Sequence, residues 1–341
     1  MRKSVIFSIF FIILFVFILN SAFAQRGTAN ADTINIRFAS PLPRNSEWGR
    51  ALDRLAADWQ RVTNNQVRVV VNHDGREGSE SDMLLKLNSN SIQVALFSSA
   101  GMTEICPAIM NLSVPFMIRN EAEFDLVLEN LLPAIESRVR NEYVVLAWSK
   151  GGWVYLFSKE PVFTPDDLRR QKLATSHELR DMNTVFRSMG FQLVETDWNV
   201  IGQRLASNMV NSIYVIPALI APMHLHRQLN HMLELPIAPI VGAIVMNRVT
   251  WNKLSPAHQQ ELLRATRRMG AEFDASMSRT ETAAISTMGR DGLSVNRPSQ
   301  AQSLQWQTEL NNTLPSLMGS VFDRELYNRI NDILIRHRGA R

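Results

Sequence analysis

The amino-acid sequence predicts an α/β protein of two lobes, which several strands join and one long helix supports. Short apolar strands alternate with amphipathic helices along most of the chain, and this rhythm favours a largely parallel sheet covered by helices. A helical pattern without proline also runs from Ala257 to about Met288, which is longer than a single lobe needs. The 341 residues are enough for two domains.

The first part of the chain supplies the elements of the first lobe. Apolar and polar residues alternate over 34–39, which predicts a strand, and apolar residues recur at helical spacing over 48–59, which predicts a helix. The segment 67–71 is nearly all valine, so we expect a fully buried strand there. A helix at 83–87 and a buried strand at 94–97 complete the series.

A second α/β series follows Gly151. Strands are predicted at 154–157, around Leu173, and at 191–194, 212–216 and 238–246, with a helix at 182–189. Ser255 and Pro256 form the start of the long helix, since serine is a good N-cap and proline is tolerated at the first helical position. We assign residues 25–151 with about 237–278 to the first lobe, and residues 152–236 with about 279–341 to the second.

The N-terminus predicts a secretory signal peptide over residues 1–24. Two basic residues precede an apolar run at 5–19, and Ala22-Phe23-Ala24 provides an A-x-A cleavage site before Gln25. The alternative is a retained membrane anchor, but a spanning helix needs about 20 apolar residues and this run is shorter. The mature protein is therefore expected outside the cytoplasm.

The charge pattern argues against a nucleic-acid partner. Removal of Arg2 and Lys3 lowers the formal charge from +4 to +2 (4 − 2). The remaining basic residues alternate with acidic ones, as in the segment 50–54, which is typical of a solvated helix face and not of a basic patch.

The sequence lacks the motifs of common catalytic and cofactor sites. It contains no G-x-S-x-G elbow, no phosphate-binding P-loop and no G-x-G-x-x-G after a strand. The single cysteine, Cys106, lies between apolar neighbours and predicts a buried, inert thiol. His224, His226 and His231 match no standard zinc spacing. We therefore expect no cofactor, no metal ion and no enzymatic activity.

Several segments, in their order and spacing, resemble the extracytoplasmic solute-binding proteins of tripartite ATP-independent periplasmic (TRAP) transporters, of the DctP type. The resemblance covers nearly the whole mature chain. It is carried by the strand and helix from Ile36 to Trp59, by Glu77-Gly78-Ser79-Glu80-Ser81-Asp82-Met83-Leu84 with Ile92-Gln93-Val94-Ala95, by Val114-Pro115-Phe116, by Ser158-Lys159-Glu160-Pro161 with Thr164-Pro165-Asp166-Asp167-Leu168, and by Asn247, Trp251, Leu254, Ser255, Pro256 and Gln259.

The resemblance implies a periplasmic protein whose two lobes close over a ligand in the cleft between them. A ligand that touches both lobes stabilises the closed form by its differential affinity. The partners implied are the TRAP membrane permease subunits, which receive the ligand. Some members with unusual ligands work beside a periplasmic TPR-repeat protein, so the resemblance adds such a protein to the candidate partners.

This chain departs from the family at the positions that usually bind a carboxylate. The family's arginine in a K-x-R segment corresponds to Ala174, and a second arginine that follows the hinge glycine corresponds to Val154. Tyr214 and Val215 stand where glutamate and asparagine are usual. Because a carboxylate loses its hydration in an apolar cleft, the absence of arginine disfavours an organic acid.

The remaining candidates predict a pocket for an apolar or amphipathic, even lipid-like, ligand. The expected lining residues are Trp48, Phe97, Ser98, Trp153, Val154, Ala174, Trp198, Asn199, Tyr214 and Val215. Four alternatives stay open: any one of the aromatic residues belongs to the core, Lys150 or Lys172 replaces the missing arginine, the protein has become an interaction partner without a ligand, or it is an enzyme on a binding-protein frame.

Overall fold

The computed structural model describes residues 33–339, so the predicted signal peptide lies outside the described residues. The strands are β1 (Ile34–Ala39), β2 (Val67–Asn72), β3 (Val94–Phe97), β4 (Tyr143–Ser158), β5 (Lys172–Thr175), β6 (Gln192–Glu195), β7 (Ser212–Val215), β8 (His231–Leu233), β9 (Ala238–Asn247) and β10 (Ser294–Asn296). The helices are α1 (Glu47–Val62), α2 (Glu80–Asn88), α3 (Ser99–Ile105), α4 (Glu121–Val139), α5 (Pro165–Arg169), α6 (Arg180–Ser188), α7 (Ile201–Ala206), α8 (Pro217–Ile220), α9 (Arg248–Trp251), α10 (Pro256–Arg290), α11 (Gln300–Leu317) and α12 (Arg324–Gly339). Over residues 33–339, no helix combines the length and the apolar character that crossing a bilayer requires.

The strands form one sheet that runs through both halves of the molecule. Its main order is β2-β1-β3-β9-β4-β7-β5-β6, and β8 and β10 join beside β4. The outer strands of each half are parallel, whereas β4 and β9 run antiparallel to their neighbours in the centre. The α/β fold is confirmed. The sheet is mixed and not largely parallel, because β4 and β9 cross between the halves in opposite directions.

Strands β4 and β9 are the crossing strands that the sequence predicted. They pair along most of their length, with irregular pairing between Val145 and Ala147 and again between Lys150 and Gly152. Gly152 has φ +97° at the second irregularity, a conformation that side-chain-bearing residues rarely adopt. The sequence predicted only the second half of β4, because the run Ser149-Lys150-Gly151-Gly152 has the composition of a turn.

Helix α10 is the long scaffold helix, with 35 residues. The Ser255 side chain accepts a hydrogen bond from the amide of His258 and caps it, as the sequence predicted. The helix packs on α1 and on β4, so it touches both the first lobe and the crossing strands. Trp59 fixes this contact, since its indole N–H donates to the Thr266 hydroxyl at 3.2 Å inside the core.

Strand β2 corrects one expectation from the sequence. Its valine run predicted burial on both faces, but Val70 is 62% exposed. β2 lies at the edge of the sheet, with β1 as its one partner strand among the described residues. Helix α1 covers a single face of it, where Val67 and Val69 are buried. The other face meets solvent, as is common for an edge strand.

The hydrophobic core has three parts. One lies between α1, α10 and the first strands, one lies behind β5 and β7, and the largest joins α4, α11 and α12 to both halves of the sheet. Helix α12 packs on α4. The division of the chain into two lobes at residues 151, 236 and 278 stays a proposal, since the largest part of the core spans both halves.

Candidate functional site

A cavity of about 210 Å³ lies where the first lobe meets the crossing strands. It is larger than the ~150 Å³ cavity that is enough to hold benzene. The lining residues are Pro41, Leu42, Trp48, Ala51, Leu52, Glu80, Leu96, Phe97, Ser98, Ala147, Ser149, Gly151, Ile216, Ile240, Gly242, Ile244, Met269, Gly270 and Phe273. Glu80 is the one ionisable side chain in this set. Most of the wall is therefore apolar.

An aromatic pair forms the outer wall of the cavity. Trp48 stands in the first turn of α1, where the Ser46 side chain caps the helix by accepting from the amide of Gly49. Its ring meets the ring of Phe273 on α10 edge to face, with centroids 4.8 Å apart. Such pairs add about 0.5–1.5 kcal/mol to the burial of their area. The contact ties the start of α1 to the scaffold helix.

The crossing strands form the floor of the cavity. β4 contributes Ala147, Ser149 and Gly151, and β9 contributes Ile240 and Gly242 among others. Helix α10 comes close to this floor at Gly270, where a Cβ atom would lie 3.3 Å from the carbonyl oxygen of Trp148. From the second half of the molecule, Ile216 reaches the cavity directly after β7. The cavity thus touches both halves and the strands between them.

Glu80 points its carboxylate at the start of α3. Its Oε2 accepts from the Gly101 amide at 2.7 Å and from the Ser98 hydroxyl at 2.9 Å, and its Oε1 accepts from the Ser98 amide at 3.0 Å. A Cβ atom on Gly101 would lie 2.1 Å from Glu80 Oε2, so the approach depends on glycine. Burial raises the pKa of Glu80, although these hydrogen bonds oppose the rise, and the negative charge of Glu178 adds to it.

Two further carboxylates hold the crossing strand from the side of α10. Asp274 accepts from the amide of Lys150 at 2.7 Å and from the hydroxyl of Ser149 at 2.9 Å. Seven residues later, Glu281 accepts from the amide of Trp153 at 2.9 Å. Burial raises the pKa of both carboxyl groups. They satisfy backbone donors at the irregular part of β4.

The structure brings three of the predicted site residues together. Trp48, Phe97 and Ser98 all line the cavity, and Ser98 does so beside Glu80. All three come from the first lobe. Their position at one cavity keeps them as proposed ligand contacts.

The other predicted residues lie away from this cavity. Trp153 is buried against Phe124, and its indole N–H donates to Glu121. Val154 packs on the largest part of the core. Trp198 and Asn199 are exposed in a 3₁₀ turn that follows β6.

The positions that the sequence analysis matched to the family's polar ligand contacts lie in the core of the second half. Ala174 is 2% exposed, and Val215 packs in the same part of the core. Tyr214 stands edge to face against Phe186, and its hydroxyl lies 3.2 Å from that of Thr175. Burial raises the pKa of Tyr214 to about 12. None of the three lines the 210 Å³ cavity.

Several residues of the cavity wall were not predicted from the sequence as ligand contacts. Met269 and Phe273 lie on α10, more than 200 positions from Trp48, and Glu80 stands in the first turn of α2. An acidic residue in a first turn is explained by the helix dipole, so it gave no separate signal. The i, i+4 spacing of Met269 and Phe273 indicates a shared helix face, but not what that face contacts.

Neither lysine that could replace an arginine reaches the cavity. The ammonium group of Lys150 pairs with Glu121 at 2.9 Å and with Asp125. Lys172 is exposed at the start of β5. Cys106 is buried, as the sequence predicted, and burial raises the pKa of its thiol. Between residues 33 and 339, no three His, Cys, Asp or Glu side chains gather as a metal site would require.

Comparison with known proteins identifies the family. Residues 38–319 match the model of the bacterial extracellular solute-binding proteins, family 7, known as DctP. The chain belongs to this family. A solute-binding protein of Verminephrobacter eiseniae is 24% identical over 282 residues, which cover 79% of this chain and 80% of that protein.

Two solved structures show the same two-lobed fold. The TRAP solute-binding protein of Ralstonia eutropha H16, with bound (S)-2-acetolactate, has a TM-score of 0.79 at 16% identity over 89% of this chain and 99% of its own. That of Chromohalobacter salexigens, with bound D-glucuronate, has a TM-score of 0.77 at 18% identity over 87% of this chain and 99% of its own. The resemblance to TRAP solute-binding proteins is confirmed.

Membership of the DctP family sets the general role of the protein. Its members are solute-binding proteins of transporters, so this chain is a binding protein and not an enzyme. Proteins of this kind bind a small ligand and work with a TRAP permease. Which ligand this chain binds depends on the chemistry of its own cavity.

Proposed function

We propose that the protein captures a small apolar or amphipathic solute in the 210 Å³ cavity and delivers it to a TRAP permease. The composition of the wall carries this proposal. Aromatic and aliphatic side chains surround the cavity, and among residues 33–339 no arginine, lysine or histidine lines it. An apolar pocket with a few polar groups is the usual form of a site for such a ligand.

An organic acid fits this cavity poorly on electrostatic grounds. A carboxylate that leaves water needs charge-assisted hydrogen bonds to offset its lost hydration, and arginine is the usual donor. Here the amides of Ser98 and Gly101, at the start of α3, already donate to Glu80. The bound acetolactate and glucuronate of the two neighbours are both acids. We therefore infer that this chain differs from them in ligand class.

The location of the cavity supports capture by closure. Its wall combines Trp48 from the first half, the crossing strands, and Ile216 from the second half. A ligand that fills the cavity contacts all three, so its binding energy favours the arrangement in which they meet. The permease then distinguishes the closed form from the open one. A TPR-repeat protein remains a predicted further partner. Cleavage of the signal peptide also remains a prediction.

Native mass spectrometry of the protein purified from its own host tests the ligand class. We expect a retained apolar or amphipathic molecule that leaves on denaturation. Recovery of a dicarboxylate or a sugar acid would contradict the proposal. A preparation that retains nothing and shows no thermal shift with a panel of small solutes would favour an interaction protein without a ligand.

A pair of matched variants tests the cavity itself. Leu96→Trp places a large side chain on the cavity wall, whereas Leu85→Trp makes the same change where the leucine is 68% exposed. We expect Leu96→Trp to bind the ligand at least tenfold more weakly, because the added ring occupies the space of the ligand. Leu85→Trp should bind it with the wild-type affinity. Equal binding by both variants would place the ligand elsewhere.

A further inference from the structure

Glu80 is the one ionisable side chain that lines the otherwise largely apolar cavity within residues 33–339. Its Oε2 accepts three hydrogen bonds, from the Ser98 amide at 3.2 Å, the Ser98 hydroxyl at 2.9 Å and the Gly101 amide at 2.7 Å. Its Oε1 accepts one within the described residues, from the Ser98 amide at 3.0 Å. The Ser98 amide is shared by both oxygens, so three donors meet a carboxylate that has about four acceptor sites, and Oε1 keeps capacity for a donor on a ligand.

The hydrogen-bond partners of Glu80 within residues 33–339 are neutral, and the charge of Glu178 acts on it with the same sign. Glu80 lines the wall, and the negative charge of Glu178 acts on it from the loop after β5. The start of α3 packs against Glu80 and contributes two neutral donors, the backbone amides of Ser98 and Gly101. Glu80 belongs to the first half of the molecule and Glu178 to the second, so the repulsion between their charges opposes closure of the lobes.

We propose that the ligand is a small organic cation, whose ammonium group Glu80 binds while its apolar body fills the cavity. This inference rests on the proposed function and narrows its ligand class. The ammonium donates to Oε1 of Glu80, and its charge offsets the repulsion between Glu80 and Glu178. The rings of Trp48, Phe97 and Phe273 line the same space and attract a cation through their faces. The cation therefore favours the closed form twice, through contact and through charge.

Three probes of equal length separate charge from apolar contact. Hexylammonium, hexan-1-ol and hexanoate share one apolar chain and differ at the head group. We expect the wild-type protein to bind hexylammonium about tenfold or more tightly than hexan-1-ol, and hexanoate more weakly than either, by isothermal titration calorimetry. Glu80→Gln should bind hexylammonium and hexan-1-ol within about threefold of each other. Glu104→Gln, an exposed residue on α3 that does not line the cavity, carries the same change of charge and should keep the preference.

The outcomes separate this inference from the proposed function. Hexan-1-ol that binds as tightly as hexylammonium to the wild-type protein would overturn the cation and leave the apolar ligand standing. Hexanoate as the tightest probe, or no binding by any of the three, would overturn both. Because Glu80→Gln turns an amide N–H toward the donors of α3 and can unfold the protein, Glu178→Gln serves as the second variant. It is exposed, and it should reduce the preference for hexylammonium without changing the affinity for hexan-1-ol; an unchanged preference would count against the inference.

Discussion

The carboxylate of Glu281 accepts a hydrogen bond from the backbone amide of Trp153 at 2.9 Å, so the scaffold helix holds the crossing strand where its pairing is irregular. Seven residues earlier on the same helix face, Asp274 accepts from the amide of Lys150. Between these two anchors lies Gly152 with its positive φ. The segment from Lys150 to Trp153 is thus fixed to α10 at both ends, by the half-buried Asp274 and the buried Glu281.

Replacement of Glu281 by alanine should destabilise the protein by about 1–3 kcal/mol, because it leaves the buried amide of Trp153 without an acceptor. Glu281→Gln keeps an acceptor oxygen and should lose less. Urea denaturation measures both free energies of unfolding. Glu272→Ala, on the exposed side of the same helix, is the control and should stay near wild type. Equal losses for the alanine and glutamine variants would show that the hydrogen bond is not the cause.

The same carboxylate predicts how stability depends on pH. Burial raises the pKa of Glu281 despite its hydrogen bonds with the Trp153 amide and the Tyr155 hydroxyl, and the charge of Glu121 adds to the rise. The folded state therefore binds this proton more tightly than the unfolded state. The free energy of unfolding should fall as pH rises from the ordinary range of a glutamic acid, about 4.3, through the raised pKa.

Denaturation midpoints measured across that range test the sign. Glu281→Gln removes the titrating group and should make the free energy of unfolding fall less steeply with pH. Some of the fall should remain, because burial also raises the pKa of Asp274. A steeper decline in Glu281→Gln than in the wild-type protein would contradict the direction of the shift.

Gly152→Ala should destabilise the crossing strand by about 1–3 kcal/mol. The residue has φ +97°, and a Cβ atom there would lie 3.0 Å from Oε2 of Glu281. Gly289→Ala near the end of α10 is the matched control, since a Cβ atom there meets nothing within 4 Å and alanine favours a helix. Thermal denaturation should separate the two variants, and a Gly152→Ala protein as stable as Gly289→Ala would refute the strain.

The sequence predicted the parts of this fold that rest on local periodicity. The strand at 94–97 and the long helix appear at nearly the predicted bounds, and Trp48, Phe97 and Ser98 meet at one cavity. Helices α4 and α11 were missed because Pro133 and Pro315 interrupt their patterns. Ala174, Val154 and Tyr214 were placed by correspondence with the family, which gives a position along the chain but not the face on which the side chain lies.

Ala174→Arg tests whether the position matched to the family's arginine lies at the ligand. Ala174 is 2% exposed and packs among apolar side chains behind β5. An arginine there would bury an unpaired charge, and we expect a loss of about 3–5 kcal/mol in the free energy of unfolding with no gain of acid binding. Lys172→Arg, two residues earlier and exposed, is the control. A folded Ala174→Arg protein that binds D-glucuronate would instead place this position at the ligand.

The affinity for hexylammonium should increase with pH. Burial raises the pKa of Glu80 in the empty cavity, and Glu178 adds to this rise, whereas a bound ammonium favours the ionised carboxylate. Binding therefore releases a proton from Glu80 at pH values below its raised pKa, and the cost of that release disappears above it. An alkylammonium group keeps its own charge up to about pH 9, since its pKa is close to that of lysine, about 10.4.

Titrations at several pH values, in buffers of different ionisation enthalpy, measure both the affinity for hexylammonium and the protons released. Hexan-1-ol is the control probe, and its affinity should not rise with pH. A hexylammonium affinity that falls with pH would mean that the cation does not meet the Glu80 carboxylate.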